Sequence, residues 1–108
     1  MNNVFLGGIG AVNTIDKPLV YEVITFAEND SRLYDILMNV YLPNLKKKKK
    51  AGKYDREKAI KLLEYYYNNY IRFEMKKPSK YGMDPKLNPA ERKLVAKHFR
   101  DYLEEEFL

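Results

Sequence analysis

A long amphipathic segment, DREKAIKLLEYYYNNYIRF, occupies residues 55–73. Its apolar residues form two neighbouring stripes at helical spacing, so the predicted helix is apolar over more than half of its circumference. The first stripe is Ala59, Leu62, Leu63, Tyr66, Tyr70 and Phe73, and the second is Ile60, Tyr67 and Ile71. Asp55 is a residue type that caps helix starts. We therefore expect a central helix that contacts several others.

Two further helices are predicted before this segment. Residues 17–27 have apolar positions at helical spacing and also alternate as in a strand, but no second strand is available to pair with them. We favour a helix there, with Pro18 in its first turn. Asp30 or Ser31 can cap the next helix, which Pro43 is expected to end. Its apolar stripe is Leu33, Ile36, Leu37, Val40 and Tyr41.

The last helix has a clear start at Asn88-Pro89-Ala90-Glu91, which has the form of a capping box. Residues 76–87 contain two prolines and a glycine and are predicted to be a loop. The expected fold is all-α, a compact bundle of three to four helices with an extended N-terminal arm. The arm, flexible or extended, covers residues 1–15, and residues 16–108 are expected to form one helical domain with a lysine-rich loop at 44–53.

The charges are distributed unevenly along the chain. Residues 1–43 carry a net charge of −3 and residues 44–108 a net charge of +8. The densest basic patch is at residues 46–61 and could attract phosphates or an acidic protein. Its members are Lys46, Lys47, Lys48, Lys49, Lys50, Lys53, Arg56, Lys58 and Lys61. A lysine run between helices is also typical of a solvated loop, so both interpretations stay open.

Four tyrosines follow the basic patch on the same helix: Tyr65, Tyr66, Tyr67 and Tyr70. Tyrosine rings can stack on bases or contact a protein partner. The same spacing is expected of a buried central helix. We list them as candidate interface aromatics.

The sequence offers little for catalysis or for cofactor binding. It contains no cysteine and one histidine, His98, which Asp101 follows at the spacing of one helical turn. It has no Gly-x-Ser-x-Gly motif and no phosphate-binding glycine loop. Glu104, Glu105 and Glu106 match no standard metal-ligand spacing. We expect no enzyme, no metal, no cofactor and no small-molecule substrate.

The absence of cysteine favours a reducing, cytoplasmic location. No apolar stretch has the length of about 20 residues that a membrane-spanning helix needs, so we expect no membrane partner.

The elements Tyr54-Asp55, Ala59, Leu62 and Tyr70, followed by Asn88-Pro89, Arg92 and Ala96, resemble a pattern of short helical proteins encoded by phages and plasmids. The resemblance covers residues 54–106 and implies a setting in which small proteins bind and block host complexes. We expect a non-enzymatic binding protein that modulates or inhibits a host complex, with a protein partner or a second copy of itself. The alternative is a sequence-nonspecific nucleic-acid-binding protein that uses the basic patch.

Overall fold

A computed structural model describes residues 14–108, and these form four helices with no strand among them. Helix α1 is Lys17–Asn29 and helix α4 is Pro89–Phe107. Helix α2 covers residues 31–50 and helix α3 residues 56–76. The all-α prediction is confirmed, and so is a helix rather than a strand at residues 17–27. The predicted arm, residues 1–15, lies outside the described residues except for Thr14 and Ile15.

Each of the two middle helices contains a π-helical turn. In α2, Leu37–Tyr41 separates the α-helical segments Ser31–Ile36 and Leu42–Lys50. In α3, Tyr67–Ile71 separates Arg56–Tyr66 from Arg72–Lys76.

A π turn holds one residue more than an α-helical turn, so buried positions beyond it move by one residue along the sequence. The predicted stripe of α3 ended in Tyr70 and Phe73, whereas Ile71 and Glu74 are the buried residues and Phe73 is 51% exposed. In α2 the same shift leaves Val40 53% exposed and buries Tyr41 and Leu42. The placement of Val40 and Phe73 in the core was therefore wrong.

Pro43 does not end α2, and the predicted loop at 44–53 is wrong for residues 44–50, which are helical. The amide of Leu42 donates to the carbonyl of Leu37, which closes the wide turn directly before the proline. Pro43 is then the second residue of the segment Leu42–Lys50, a first-turn position where the helix does not need its missing N–H.

Aspartate side chains cap the first three helices; Asp30 and Asp55 were predicted as caps and Asp16 was not. Side-chain oxygens of Asp16, Asp30 and Asp55 accept hydrogen bonds from amides in the first turns of α1, α2 and α3. The capping box of α4 is confirmed, with both reciprocal bonds between Asn88 and Glu91 at 2.9 Å. The second carboxylate oxygen of Glu91 accepts from the amide of Asp16 at 2.7 Å, which ties the start of α1 to the start of α4.

Side-chain contacts define the packing of the four helices. Arg32 near the start of α2 contacts Glu74 near the end of α3, so these helices are antiparallel. Arg56 at the start of α3 contacts Glu104 near the end of α4, so this pair is antiparallel as well. Helix α1 covers α2 and α4 with its buried residues Val20, Val23, Ile24 and Ala27.

Tyrosine fills the centre of the core. Tyr66 and Tyr67 are each 1% exposed, and the Tyr66 hydroxyl donates to the carbonyl of Leu33 at 2.8 Å. The ring of Tyr66 packs against Tyr41 and Phe99, with centroid distances of 5.2 and 5.5 Å. Burial raises the pKa of Tyr41 to about 12 and raises the pKa of Tyr66 further.

Candidate functional site

The lysine run, Lys46 to Lys50, forms the last helical residues of α2. Lysine has a good helix propensity, and cations at a helix C-terminus interact favourably with the helix dipole. A Schellman motif ends the helix. The amide of Gly52 donates to the backbone carbonyl of Lys49 at 3.1 Å, and the amide of Lys53 donates to the backbone carbonyl of Lys48 at 2.8 Å. Gly52 has a φ of 72°, which this motif requires. The lysines therefore belong to an ordered helix end and not to a loop.

All five side chains of the lysine run are exposed. None of them forms an ion pair with a carboxylate of residues 14–108. Because successive helix residues are about 100° apart, five consecutive lysines place positive charge around the whole circumference. The ammonium of Lys49 lies 5.7 Å from the ring centroid of Tyr54.

The other predicted cations have unequal roles. Lys53, Lys58 and Lys61 are exposed. Arg56 instead binds α4: its Nε lies 2.9 Å from Glu104 Oε2, and its Nη2 lies 3.3 Å from Asp101 Oδ1. The hydrogen bonds that Arg56 donates to Glu104 raise the pKa of Arg56. A structural ion pair thus occupies Arg56, and we remove it from the candidate binding residues.

The candidate aromatics are also divided by the structure. Tyr66 and Tyr67 are in the core, and Tyr70 is half-buried with its ring 6.2 Å from that of Tyr41. Tyr65 alone of the four is exposed, at 61%, and it lines a shallow cleft with Lys61. The spacing of a buried central helix, and not of a stacking surface, explains Tyr66 and Tyr67. Their burial takes both out of the candidate interface.

Sequence reasoning missed the outer face of α2. Val40 and Pro43 are exposed, and Lys47 follows them at helical spacing on the same side. Val40, with Ile36 and Asn39, also lines a shallow cleft near the start of this helix. The signal in the sequence was the run Val40-Tyr41-Leu42, because three consecutive residues of a helix cannot all face one core. This outer face thus carries the exposed apolar residues Val40 and Pro43 and leads directly into the lysine run.

The predicted pairing of His98 with Asp101 is not formed. His98 Nε2 lies 2.9 Å from Oε2 of Glu28 on α1. Asp101 Oδ1 instead lies 2.9 Å from Arg100 and 3.3 Å from Arg56. Residues 14–108 contain no group of three or more side chains that could hold a metal ion.

No family model, no curated protein and no solved structure matches the chain. Within residues 14–108, no helix combines the length and the apolar character needed to cross a bilayer.

Proposed function

We propose that this chain is a non-catalytic binding protein that docks on an acidic surface of a protein partner. The observation that carries the proposal is the lysine run, an ordered helix end with five exposed cations and no internal counter-ion in the described chain. We place its action in the cytoplasm, in line with the absence of cysteine. The resemblance of residues 54–106 to proteins of mobile elements supports a role in modulating or inhibiting a host complex.

The geometry favours such docking for two physical reasons. A preformed helix loses less conformational entropy on binding than a flexible loop does, and an uncompensated cationic patch accelerates encounters with acidic surfaces. Val40 and Pro43 extend the patch with exposed apolar area on the outer face of α2. Apolar contact flanked by charge is typical of protein–protein interfaces.

A nucleic acid is the alternative partner, because lysines alone can neutralise phosphates. The structure offers this alternative less support than the sequence did. Two of the four candidate stacking rings are buried, and the single arginine of the basic patch is paired with Glu104. Lys46 to Lys50, Lys53, Lys58 and Lys61 remain as its phosphate-binding residues.

Site-specific photo-crosslinking in the cells that encode the protein tests the proposal. A photoreactive amino acid at position 40 or 47 should give adducts that protease removes and nuclease does not. The same amino acid at the exposed position 93 on α4 is the control and should give none. Adducts that nuclease removes would contradict the protein partner and support the nucleic-acid alternative. Equal adducts at all three positions, or none at any, would overturn both.

A matched pair of charge variants separates patch-specific binding from an effect of net charge. One variant changes the lysine run to glutamine. The other changes five exposed lysines elsewhere to glutamine, namely Lys17, Lys76, Lys86, Lys93 and Lys97. Only the first should lose the crosslinks. For the nucleic-acid alternative, it should also weaken DNA or RNA binding at about 50 mM salt and flatten the salt dependence.

A second copy of this chain is one candidate protein partner, because residues 1–43 carry a net charge of −3 and residues 44–108 a net charge of +8, and the two parts of different copies attract each other. Light scattering of the purified chain tests this form directly. A dimer that dissociates as salt is raised would support self-association through charge. A strict monomer would restrict the proposal to other proteins.

A further inference from the structure

A small cavity is lined by residues from all four helices. Its volume is about 130 Å³. The residues that line it are Ala27, Glu28, Tyr34, Leu37, Tyr66, Phe99 and Tyr102. Four of the seven are aromatic, and one is a carboxylate. An apolar cavity of roughly 150 Å³ is large enough for benzene, so a compact head group with fewer heavy atoms fits this volume.

The aromatic walls are held in place by the surrounding packing. The rings of Tyr66 and Phe99 meet edge to face with an interplanar angle of 87°, and the Tyr66 hydroxyl donates a hydrogen bond to the Leu33 carbonyl. Tyr102 makes a second edge-to-face contact with Phe107, at 6.0 Å. The face of an aromatic ring carries partial negative charge and attracts cations. Several such rings around one small space form the arrangement that binds methylated ammonium groups.

The charges at the cavity also favour a cation. No lysine or arginine is among its lining residues, although the chain has a net charge of +5. His98 holds the Glu28 carboxylate at a distance of 2.9 Å, and the adjoining cleft adds Glu105 and Asp101. Asp101 is paired with two arginines, whereas the one partner of Glu28 in the described chain is the imidazole of His98, so Glu28 and Glu105 supply the negative potential.

We propose that this aromatic cavity binds a methylated ammonium group, with Tyr34, Tyr66, Phe99 and Tyr102 as its walls and Glu28 as the counter-ion. The group is either the head of a small quaternary ammonium compound or the end of a methylated lysine side chain. The cavity shares no residue with the lysine run, and binding of a methylated ammonium group there does not depend on the proposed docking function.

Titration of the full chain with choline, followed by NMR or calorimetry, tests the cavity. The neutral carbon analogue dimethylbutanol, in which carbon replaces the ammonium nitrogen, is the control for simple apolar filling. We expect choline to bind at millimolar concentrations and about tenfold more tightly than the analogue. Equal binding of the two compounds, or no binding of choline and of a methylated peptide, would overturn the proposal.

Two variants locate the binding in the cavity. Glu28→Gln should weaken choline binding several-fold, and Tyr34→Ala should abolish the preference for choline over dimethylbutanol. Tyr34 is 41% exposed and the side chain of Glu28 is 47% exposed, so neither belongs to the buried core and the fold should persist, which circular dichroism verifies. Glu57→Gln, an exposed carboxylate at the start of α3, is the matched control and should leave binding unchanged. An effect of Glu57→Gln equal to that of Glu28→Gln would reduce the binding to a general charge effect and overturn the assignment.

A peptide that contains one trimethyllysine, compared with its unmodified form, distinguishes the two sources of the ligand. Binding of the methylated peptide alone would assign the cavity to a modified protein. Binding of choline as tightly as the peptide would assign it to a free compound.

Discussion

The two ends of the α2–α3 pair use lysine in opposite ways. At the end where α2 starts, Lys77 and Lys80 both contact Glu74, at 2.9 and 2.7 Å, and Arg32 contacts the same carboxylate at 3.3 Å. At the end where α2 finishes, the five lysines of the lysine run contact no carboxylate of the described chain. The same residue type thus pairs with a buried carboxylate at one end and with no carboxylate of the described chain at the other.

Burial of the counter-ion explains the difference between the two ends. Glu74 is 5% exposed, and its ionised form needs partners in that environment. Burial by itself would raise the pKa of Glu74, but hydrogen bonds from Lys80 and Lys77 hold it below its ordinary value. Lys80 also contacts Asp30, the cap of α2. We call Asp30, Arg32, Glu74, Lys77 and Lys80 the ion cluster. The lysine run has no comparable buried acid.

The largest effect is expected from breaking the ion cluster. Glu74→Gln leaves three cations without their shared carboxylate and should lower the free energy of unfolding by roughly 2 kcal/mol. This loss is smaller than for a fully buried ion pair, because Arg32 and Lys77 are half-exposed or more and water can solvate their charges in the variant. Urea unfolding measures the change. Glu57→Gln serves as the control and should stay within about 0.5 kcal/mol; equal losses in both would remove the distinction between the two ends.

Acid should weaken the ion cluster. The pKa values of Glu74 and Asp30 are both lowered in the folded chain, against the effect of burial, by hydrogen bonds that include those from Lys80. The contribution of the two carboxylates to the free energy of unfolding is therefore complete above their ordinary pKa values, 4.5 for Glu74 and 3.8 for Asp30. It is lost as the pH falls through their lower pKa values in the folded chain. Unfolding between pH 7 and pH 2 should show this loss. In Glu74→Gln the loss should be smaller, and an identical acid profile would argue against the cluster.

A pair of glycine variants gives the next smaller effect. Gly52 and Gly82 have φ angles of 72° and 88°, and an added Cβ would meet no atom within 4 Å at either position. Alanine should therefore cost about 1 kcal/mol at each through backbone strain alone. Only Gly52→Ala should speed hydrogen exchange in the lysine run and weaken partner crosslinking. Loss of crosslinking in Gly82→Ala as well would show that stability, and not the ordered helix end, controls binding.

The smallest effect on stability should come from the residues proposed to matter most for binding. Changing the lysine run to glutamine removes five exposed charges that pair with no carboxylate of residues 14–108, so the free energy of unfolding should change by no more than about 0.5 kcal/mol in thermal unfolding. Relief of repulsion among neighbouring lysines could make the change slightly stabilising. A loss above about 1 kcal/mol would mean that the run has a structural role like that of Lys80.

Local signals made much of the fold predictable. Asp30, Asp55 and Asn88 were predicted as helix caps, because a cap depends on residues only a few positions away, whereas the cap Asp16 was not predicted. The candidate site was predicted less well. Arg56, Tyr66 and Tyr67 were assigned to a binding surface, yet each is occupied by contacts with residues distant in the sequence, such as Glu104 and Leu33.

Helix class, the four helix starts and the position of the lysine run are properties of the sequence itself, because propensity, capping and charge act over a few residues. The tertiary structure decided the rest. In the folded chain a π turn in α2 precedes Pro43, and the π turns of α2 and α3 leave Val40 and Phe73 facing outward. The packing of the helices also determines which lysines and arginines form ion pairs with a carboxylate. A residue's pairing and burial depend on neighbours from other helices, and a local pattern cannot contain that information.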